Sequence, residues 1–345
     1  MKVVQLVPSP ARTGPVTVAH ELVRLLRPYA DIQILYFDSR EGYQWPDSKR
    51  ISFSAALSEI QELECDILHS HTLRPDVFSA LRKFVRPKLK TISTLHNYFY
   101  DEYRLEYPKI SALAGITLHH LSLKNKNALV AITPHMQRFY TQKGFAHVHY
   151  IPNTRIPEPI SPDHRELADK LKSWSAGATL LMTLGTANER KNLHAVVPLL
   201  LRNTSWKWIH VGDGKLLPAL KMEIRQKNLE NRVCFTGFIR EGHQLLQIAD
   251  VLLLPSLSEG FPLVLLESFQ LRIPVVCNRI QSFEGLFSEE LVCCEVHDAN
   301  EFAKSVEYAL ENRDCITSKA IERFDKEFSP SVIATQYVRL YESLG

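Results

Sequence analysis

The chain has 345 residues, 45% of them hydrophobic and 23% charged, with 13 Gly, 19 Pro and 6 Cys, a composition that excludes the disordered, fibrous and disulfide-dense classes. Its length suits two domains at roughly 100 to 200 residues each, with cores that need no metal or disulfide staple. The 41 Lys and Arg against 38 Asp and Glu leave a net charge of +3, too dilute for a general nucleic-acid binder, so no nucleic-acid partner is expected.

In chain order, short β-branched runs recur, each followed by a stretch whose apolar residues have helical spacing. The first half has runs at 2–8, 32–37, 66–71, 90–96, 128–133 and 148–153. A Pro-rich segment, IPNTRIPEPISPD at 151–163, interrupts them, since proline supplies no ladder donor and breaks helices. The pattern restarts with runs at 179–185, 206–212, 232–237, 250–255, 273–278 and 291–296. Strands that are apolar along their length and alternate with helices predict an α/β fold with parallel sheets covered on both faces. Two such series predict two Rossmann-like doubly wound domains, residues 1–155 and 156–328, facing across a cleft at the carboxyl ends of their strands, where open α/β sheets bind ligands. The tail at 329–345 reads as a helix capped by Ser329.

Cys65, Cys234, Cys277, Cys293, Cys294 and Cys315 form no CxxC pair and read as scattered buried thiols of a reducing compartment, not a zinc site. No apolar run approaches the roughly 20 residues that span a bilayer, and no signal-peptide pattern is seen. A cytoplasmic protein is expected, at most peripheral to the inner face of the cell membrane.

The segment DVLLLPSLSEGFPLVLLESF at 250–269 reads as strand, loop and helix, with Pro262 the first helical residue. Glu259 then lies in the loop and Glu267 about a turn into the helix. Gly260 permits close backbone approach, and the helix start at Phe261, Pro262 and Leu263 offers free N–H groups to a phosphate or sugar hydroxyl. Two carboxylates so placed can accept from vicinal hydroxyls, as acidic residues do from ribose in dinucleotide folds. The plainer reading is a helix cap and a solvated charge.

Upstream, LGTANERKNLH at 184–194 places Gly185, Arg190 and Lys191 after a strand. Cations at a helix start oppose the macrodipole, which favours an anion nearby; a solvated basic pair is the alternative. HVGDG at 210–214, with Gly212 and Gly214, and VCFTGFI at 233–239, with Gly237, end two further strands, although such glycines are most often simple turns. In the first half, KTISTLHN ends a strand with His96 and Asn97. A histidine there can donate to a sugar hydroxyl or phosphate, or be a satisfied structural residue. Gly14 follows Thr13 in the first loop. His69, His71, His119 and His120 are assigned to structure or an acceptor surface. The stretch LRKFVRPKLK carries Arg82, Lys83, Arg86, Lys88 and Lys90 without an acid, either a solvated helix end or a patch in peripheral contact with an anionic membrane. Residues 98–123, rich in Tyr, Leu and His, offer an acceptor or membrane-facing surface.

Glu259 and Glu267 stand at E-x7-E spacing, and with the segments at 184–194 and 90–97 the chain resembles the family 4 retaining glycosyltransferases, two Rossmann-like domains in the GT-B arrangement. The resemblance implies that Glu267 binds the nucleotide ribose and Glu259 the transferred sugar. It further implies that Gly185 and Lys191 grip the donor diphosphate, with Arg190 compensating for Thr186 where an Arg is usual. Gly212, Gly237, Gly260, Phe261, Pro262 and Leu263 border the donor, and His96 lies near the reacting centre. Gly14 keeps one member of a usual Gly-Gly pair, Thr154 replaces a hinge Gly, and the final helix returns to the N-terminal domain. Catalytic roles thus fall to His96, Glu259 and Lys191. Without a D-x-D sequence, neither a metal nor a cofactor beyond the nucleotide sugar is expected.

The implied activity is retaining transfer of a hexose or N-acetylhexosamine from a nucleotide sugar, a UDP-sugar foremost, to a saccharide or lipid-linked saccharide acceptor in bacterial surface polysaccharide synthesis. A nucleotide-sugar epimerase or a phosphorylase shares the architecture. The changes at Thr13 and Thr186 also admit a non-catalytic nucleotide-sugar-binding subunit.

Overall fold

The computed structural model describes residues 1–52, 64–156 and 158–345; Pro157 of the Pro-rich segment lies outside the described residues. The chain divides into two compact units, Met1–Arg155 with Phe328–Gly345, and Ile156–Glu327.

In the N-terminal unit the elements run β1 (Lys2–Val7), α1 (Gly14–Leu26), β2 (Asp31–Tyr36), β3 (Ser48–Arg50), β4 (Ile67–His71), α2 (Leu73–Val85), β5 (Lys90–Leu95), α3 (Phe99–Glu106), α4 (Lys109–Lys124), β6 (Ala128–Ala131), α5 (Pro134–Gln142) and β7 (Val148–Tyr150). They build a seven-stranded sheet in the order β3-β2-β1-β4-β5-β6-β7, every pair of neighbours parallel. The strand order reverses beside β1, which puts the carboxyl ends of β1 and β4 at a topological switch point. Val3, Val4, Leu68, Ile92 and Val130 are wholly buried, as a sheet covered on both faces requires.

The C-terminal unit continues with α6 (Pro162–Ser175), β8 (Thr179–Leu184), α7 (Val196–Arg202), β9 (Trp206–Val211), α8 (Leu217–Gln226), β10 (Val233–Gly237), β11 (Val251–Leu254), α9 (Leu263–Gln270), β12 (Val275–Asn278), β13 (Val292–Cys294), α10 (Ala299–Glu311) and α11 (Arg313–Arg323). Its six-stranded parallel sheet has the order β10-β9-β8-β11-β12-β13, so β8 and β11 flank its switch point. Each apolar run read from the sequence coincides with one of these strands to within a residue or two at the start. The short edge strand β3 was not expected, because its residues Ser48, Lys49 and Arg50 carry no apolar signal.

The final helix α12 (Pro330–Leu344) belongs to the N-terminal unit. It buries Ile333, Ala334, Tyr337, Leu340 and Tyr341 and packs on α1. Ser329 occupies its N-cap position, but its side chain makes no capping bond, so the expected Ser cap is one of position only. Thr154 Oγ1 donates to the Phe328 carbonyl over 2.6 Å, which ties the start of this helix to the end of the first half. The hydroxyl that replaces the expected glycine thus has a partner.

Two expectations need correction. Cys277 and Cys294 are buried, but Cys65, Cys234 and Cys293 are half-buried and Cys315 is exposed. Registry between β12 and β13 sets Cys277 beside Cys293, with their sulfurs 3.3 Å apart. The basic stretch also fails as a continuous solvated patch: Arg82 is fully buried, and Lys83 Nζ donates to the Asn125 carbonyl and to Asn127 Oδ1 over 2.8 Å. Helix α2 turns that face inward against α4. Among the described residues no helix is long and apolar enough to cross a membrane.

Candidate functional site

In the C-terminal unit the loops after β8, β9 and β10 are knit by their backbones. Gly185 N donates to the Val211 carbonyl and Gly212 N to the Gly237 carbonyl, each over 3.0 Å. Gly185 has φ +123° and Gly212 φ +150°, conformations that only glycine adopts cheaply. A Cβ on Gly212 would stand 2.0 Å from the Gly185 carbonyl oxygen, whereas one on Gly185 would meet only the Lys191 side chain at 3.3 Å, so close backbone approach requires glycine at 212 and backbone conformation favours it at 185. Gly237, at φ +74°, borders open space.

Beyond Gly185 the chain makes a 3-10 turn, Glu189–Lys191, capped by Asn188, whose side chain accepts from Lys191 N. This turn is tied to the loop after β11, because Leu257 N donates to the Arg190 carbonyl over 2.8 Å and Asn192 Nδ2 to the Pro255 carbonyl over 3.1 Å. Three side chains 68 or 69 residues apart in sequence thereby meet. Lys191 Nζ donates to Glu259 Oε1 over 2.6 Å, and Arg190 Nη1 donates to Glu259 Oε2 over 2.8 Å and to the Ser258 carbonyl over 2.9 Å. Glu259 is only 6% exposed. Its burial alone would raise the carboxyl pKa, but Lys191 and then Arg190 outweigh that and hold it down at about 2. Arg190 and Lys191 are therefore no solvated pair. They share one buried carboxylate, a charge-assisted arrangement that fixes both cations.

Pro262 is the N-cap of α9 in extended conformation, and the helix begins at Leu263, one residue later than expected. Proline's lack of an N–H costs nothing at either place. Gly260, Phe261 and Pro262 are buried and Leu263 half-buried; the Phe261 ring lies 5.9 Å from that of Phe287. Glu267 is buried on the first turns of α9, with Oε1 3.8 Å from His243 Nδ1. His243 and His210 were not among the residues expected at the site. His210 is wholly buried on β9 and paired through Nδ1 with Thr183 Oγ1 over 2.9 Å. Its Nε2 has no hydrogen-bond partner among the described residues and lies under Gly212, 3.2 Å from where a Cβ would be. Burial, reinforced by Lys191, lowers its pKa to about 4. The HVG sequence at a strand's end carried this signal, as TLH did for His96.

The N-terminal unit has a cavity of about 610 Å³ at the carboxyl ends of β1, β4 and β5, lined by Thr72, Arg74, His96, Asn97, Glu102 and Tyr103 among others. Thr13 and Pro15 line it on either side of Gly14, where an added Cβ would meet nothing within 4 Å. His96 is anchored from behind by a buried chain. His96 Nε2 and His71 Nδ1 are 2.9 Å apart, and His71 Nε2 is 2.8 Å from Gln5 Oε1. The Gln5 amide nitrogen donates to Tyr341 OH over 3.1 Å, and Tyr341 OH lies 2.8 Å from His69 Nδ1. An amide oxygen only accepts, so His71 carries its hydrogen on Nε2, accepts at Nδ1, and takes the hydrogen of His96 Nε2. His96 is left with a bare Nδ1. Burial keeps all three imidazoles neutral, lowering His69 to about 3, His96 to about 4 and His71 well below its usual value.

His119, expected in structure or the acceptor surface, is buried and lines this cavity. Its Nε2 lies 3.0 Å from Asp76 Oδ2 and its Nδ1 3.1 Å from Tyr103 OH, so a buried carboxylate orients a cavity tyrosine through it. Burial would raise the Asp76 carboxyl, but the His119 hydrogen bond and Lys126 lower it. Burial in turn pushes the Lys126 ammonium down to about 8.

Residues 12–155 match the family model described as Glycosyltransferase Family 4, and residues 165–327 the one described as glycosyl transferases group 1. The chain belongs to this glycosyltransferase family. It is 26% identical, across all of its length and 99% of the relative's, to the O-antigen biosynthesis glycosyltransferase WclY of Escherichia coli. It is 24% identical, over 68% of its length and 70% of the relative's, to the lipopolysaccharide core biosynthesis glycosyltransferase LpsE of Rhizobium meliloti. Its fold is similar to that of HepE from Anabaena, solved in complex with UDP and glucose, with a TM-score of 0.83, 18% identity and coverage of 99% of this chain and 100% of that one. The GT-B fold and glycosyltransferase membership stand on these likenesses and on the two parallel sheets.

Proposed function

We propose that this glycosyltransferase moves a hexose or N-acetylhexosamine from a UDP-sugar to a hydroxyl of a saccharide or lipid-linked saccharide, with retention at the anomeric carbon, in the assembly of a bacterial surface polysaccharide at the cytoplasmic side of the membrane. The observation that carries this reading is the buried Glu259 clamped between Lys191 and Arg190 beside the knit glycines Gly185 and Gly212. Two adjacent cations suit a diphosphate, whose charge grows as the sugar departs. The UDP and glucose held by HepE and the polysaccharide roles of WclY and LpsE support the same assignment.

In this scheme Lys191 and Arg190 neutralise the leaving diphosphate, Glu267 holds the ribose, and Glu259 and the backbone at Gly260–Leu263 hold the sugar. His96 presents Nδ1 as an acceptor to a hydroxyl. The glycosidic bond to the diphosphate breaks as the acceptor oxygen bonds to the same face of the sugar, and its proton passes to the departing phosphate. No carboxylate attacks carbon, unlike the two-carboxylate glycosidase scheme. With charge neutralisation assigned to side chains, transfer is expected to survive chelation of divalent metals.

The test is a thermal shift against UDP and a panel of UDP-sugars, since a ligand at 100 times its Kd stabilises by about 2.7 kcal/mol. Lys191→Ala and Glu267→Ala are expected to abolish the shift; retention of it by both variants overturns the site. Proton NMR of the product then reads the anomeric configuration, and an inverted product overturns the retaining scheme.

A further inference from the structure

Two thiols meet at the edge of the C-terminal sheet. Strand β12 supplies Cys277 and the edge strand β13 supplies Cys293, paired in parallel register, with sulfurs 3.3 Å apart. Neighbouring strands lie about 4.8 Å apart, so the two side chains have turned toward each other across the ladder. Their surroundings differ. Cys277 is wholly buried, while Cys293 is half-buried on a strand of three residues that is paired on one side only. Cys294, next along β13, takes no part: it packs in the core cluster with Val276, Val296 and Phe302.

The contact between the two sulfurs has a direction. The bond to Cys293 and then burial hold the Cys277 thiol well above its usual range. The same bond, helped by the Arg279 guanidinium, outweighs burial at Cys293 and lowers it. Cys277 therefore donates, and Cys293 has the thiolate character that a nucleophilic sulfur needs. A reachable thiolate in contact with a second, buried thiol is the arrangement of an attacking and a resolving cysteine.

We infer that Cys277 and Cys293 form a reversible disulfide on reaction with a hydroperoxide, and that its closure disturbs the loop that carries Glu259. The Cys293 sulfur attacks one peroxide oxygen, the O–O bond breaks, and the leaving oxygen departs as water or alcohol. Cys293 is then a sulfenic acid, oxidised by the two electrons that the peroxide gains. The Cys277 sulfur gives up its proton and attacks the Cys293 sulfur; the S–O bond breaks, a second water leaves, and the S–S bond forms.

A covalent bond is shorter than the 3.3 Å contact, so closure draws β13 and the end of β12 together. Asn278 follows Cys277 directly and is buried, with its Nδ2 donating to the Ser256 carbonyl over 3.1 Å. Ser256 opens the loop that runs through Leu257, itself bonded to the Arg190 carbonyl, to Glu259. A shift at the end of β12 thus reaches the Glu259 loop through one hydrogen bond. That this loop serves the donor rests on the transferase reading above; the disulfide does not.

The experiment treats the reduced full chain with a small excess of hydrogen peroxide and maps its cysteines by peptide mass spectrometry, before and after dithiothreitol. The expected result is loss of two of the six thiols, one disulfide joining Cys277 to Cys293, and full recovery on reduction. Cys293→Ser should slow thiol loss about tenfold, since the attacking thiolate is gone. Cys277→Ala should leave Cys293 as a sulfenic acid that dimedone labels. Native melting temperatures establish that both variants are folded, and Cys293→Ser alters a half-buried edge position. A disulfide between other cysteines or between two chains overturns the inference. So does sulfinic acid at Cys293 without a disulfide in the native chain, or no loss of thiols. For the loop, calorimetric titration with UDP is expected to show affinity about tenfold lower in the oxidised native chain, an ordinary coupling between sites. It should recover on reduction and be unchanged in peroxide-treated Cys293→Ser; equal affinity of the reduced and oxidised native chain overturns the coupling. Absence of UDP binding by the reduced chain sinks the transferase reading and leaves the disulfide result standing.

Discussion

Glu259 does two incompatible things well enough to be informative. It is buried and ionised, which is costly for a lone carboxylate, and it is kept so by Lys191 and Arg190. The same contacts occupy the cations that the proposed diphosphate needs. Glu259→Gln keeps the shape and removes the competing charge, so UDP is expected to bind more tightly by about tenfold, equivalent to ~1.4 kcal/mol. Transfer is expected to fall by about 10²-fold through the lost sugar contact. Calorimetric titration with UDP and an initial-rate assay separate the two effects; weaker UDP binding in this variant would show that the ion pairs support the nucleotide site and do not compete with it.

At the scale of elements, the loop after β9 and the final helix are the places where single atoms decide the most. Gly212→Ala sets a methyl against the Gly185 carbonyl, backbone against backbone, and is expected to cost about 3 kcal/mol or more and to abolish UDP binding. Gly237→Ala meets nothing within 4 Å, so only its positive φ is penalised, by about 1–2 kcal/mol. Urea titration of both variants checks the ranking. Helix α12 reaches β1 and β4 through Tyr341, whose hydroxyl serves both Gln5 and His69. Tyr341→Phe leaves those buried groups short of a partner, an expected loss of about 1–3 kcal/mol. Catalysis should fall with unchanged UDP binding if the chain from Tyr341 through Gln5 and His71 holds the His96 tautomer.

For the molecule as a whole, burial sets an acid limit in both units. His69 at about 3, and His96 and His210 at about 4, are held neutral by burial, so between those values and the ordinary 6.5 the unfolded chain binds more protons than the folded one. The contribution of these histidines is therefore full at neutral pH, falls as pH drops below about 6.5 and levels off below the folded values. The slope is on the order of 1.4 kcal/mol per pH unit for each such histidine. Glu259, depressed by its cations to about 2, loses its contribution lower still, as pH falls from 4.5 toward 2. Melting temperatures measured from pH 7.5 to 5 are expected to fall steadily; a flat profile would show that these histidines titrate freely in the folded chain.

The sequence by itself determined twelve of the thirteen strands among the described residues, because a fully buried parallel strand must be apolar along its whole length and a local run suffices to reveal it. It also placed Glu259 and Glu267 in one loop and helix, since eight residues of separation are local. It missed β3, which is polar and paired on one side, and set the start of α9 one residue early. Tertiary structure alone decided what depends on distant chain meeting: Lys191 and Glu259, 68 positions apart, on one ion pair, and the chain of Gln5, His71 and His96 drawn from β1, β4 and the end of β5. It also decided that α2 turns Arg82 inward and α4 turns leucines outward. Periodicity tells which residues share a face of a helix, but which face is covered depends on the neighbour that packs there.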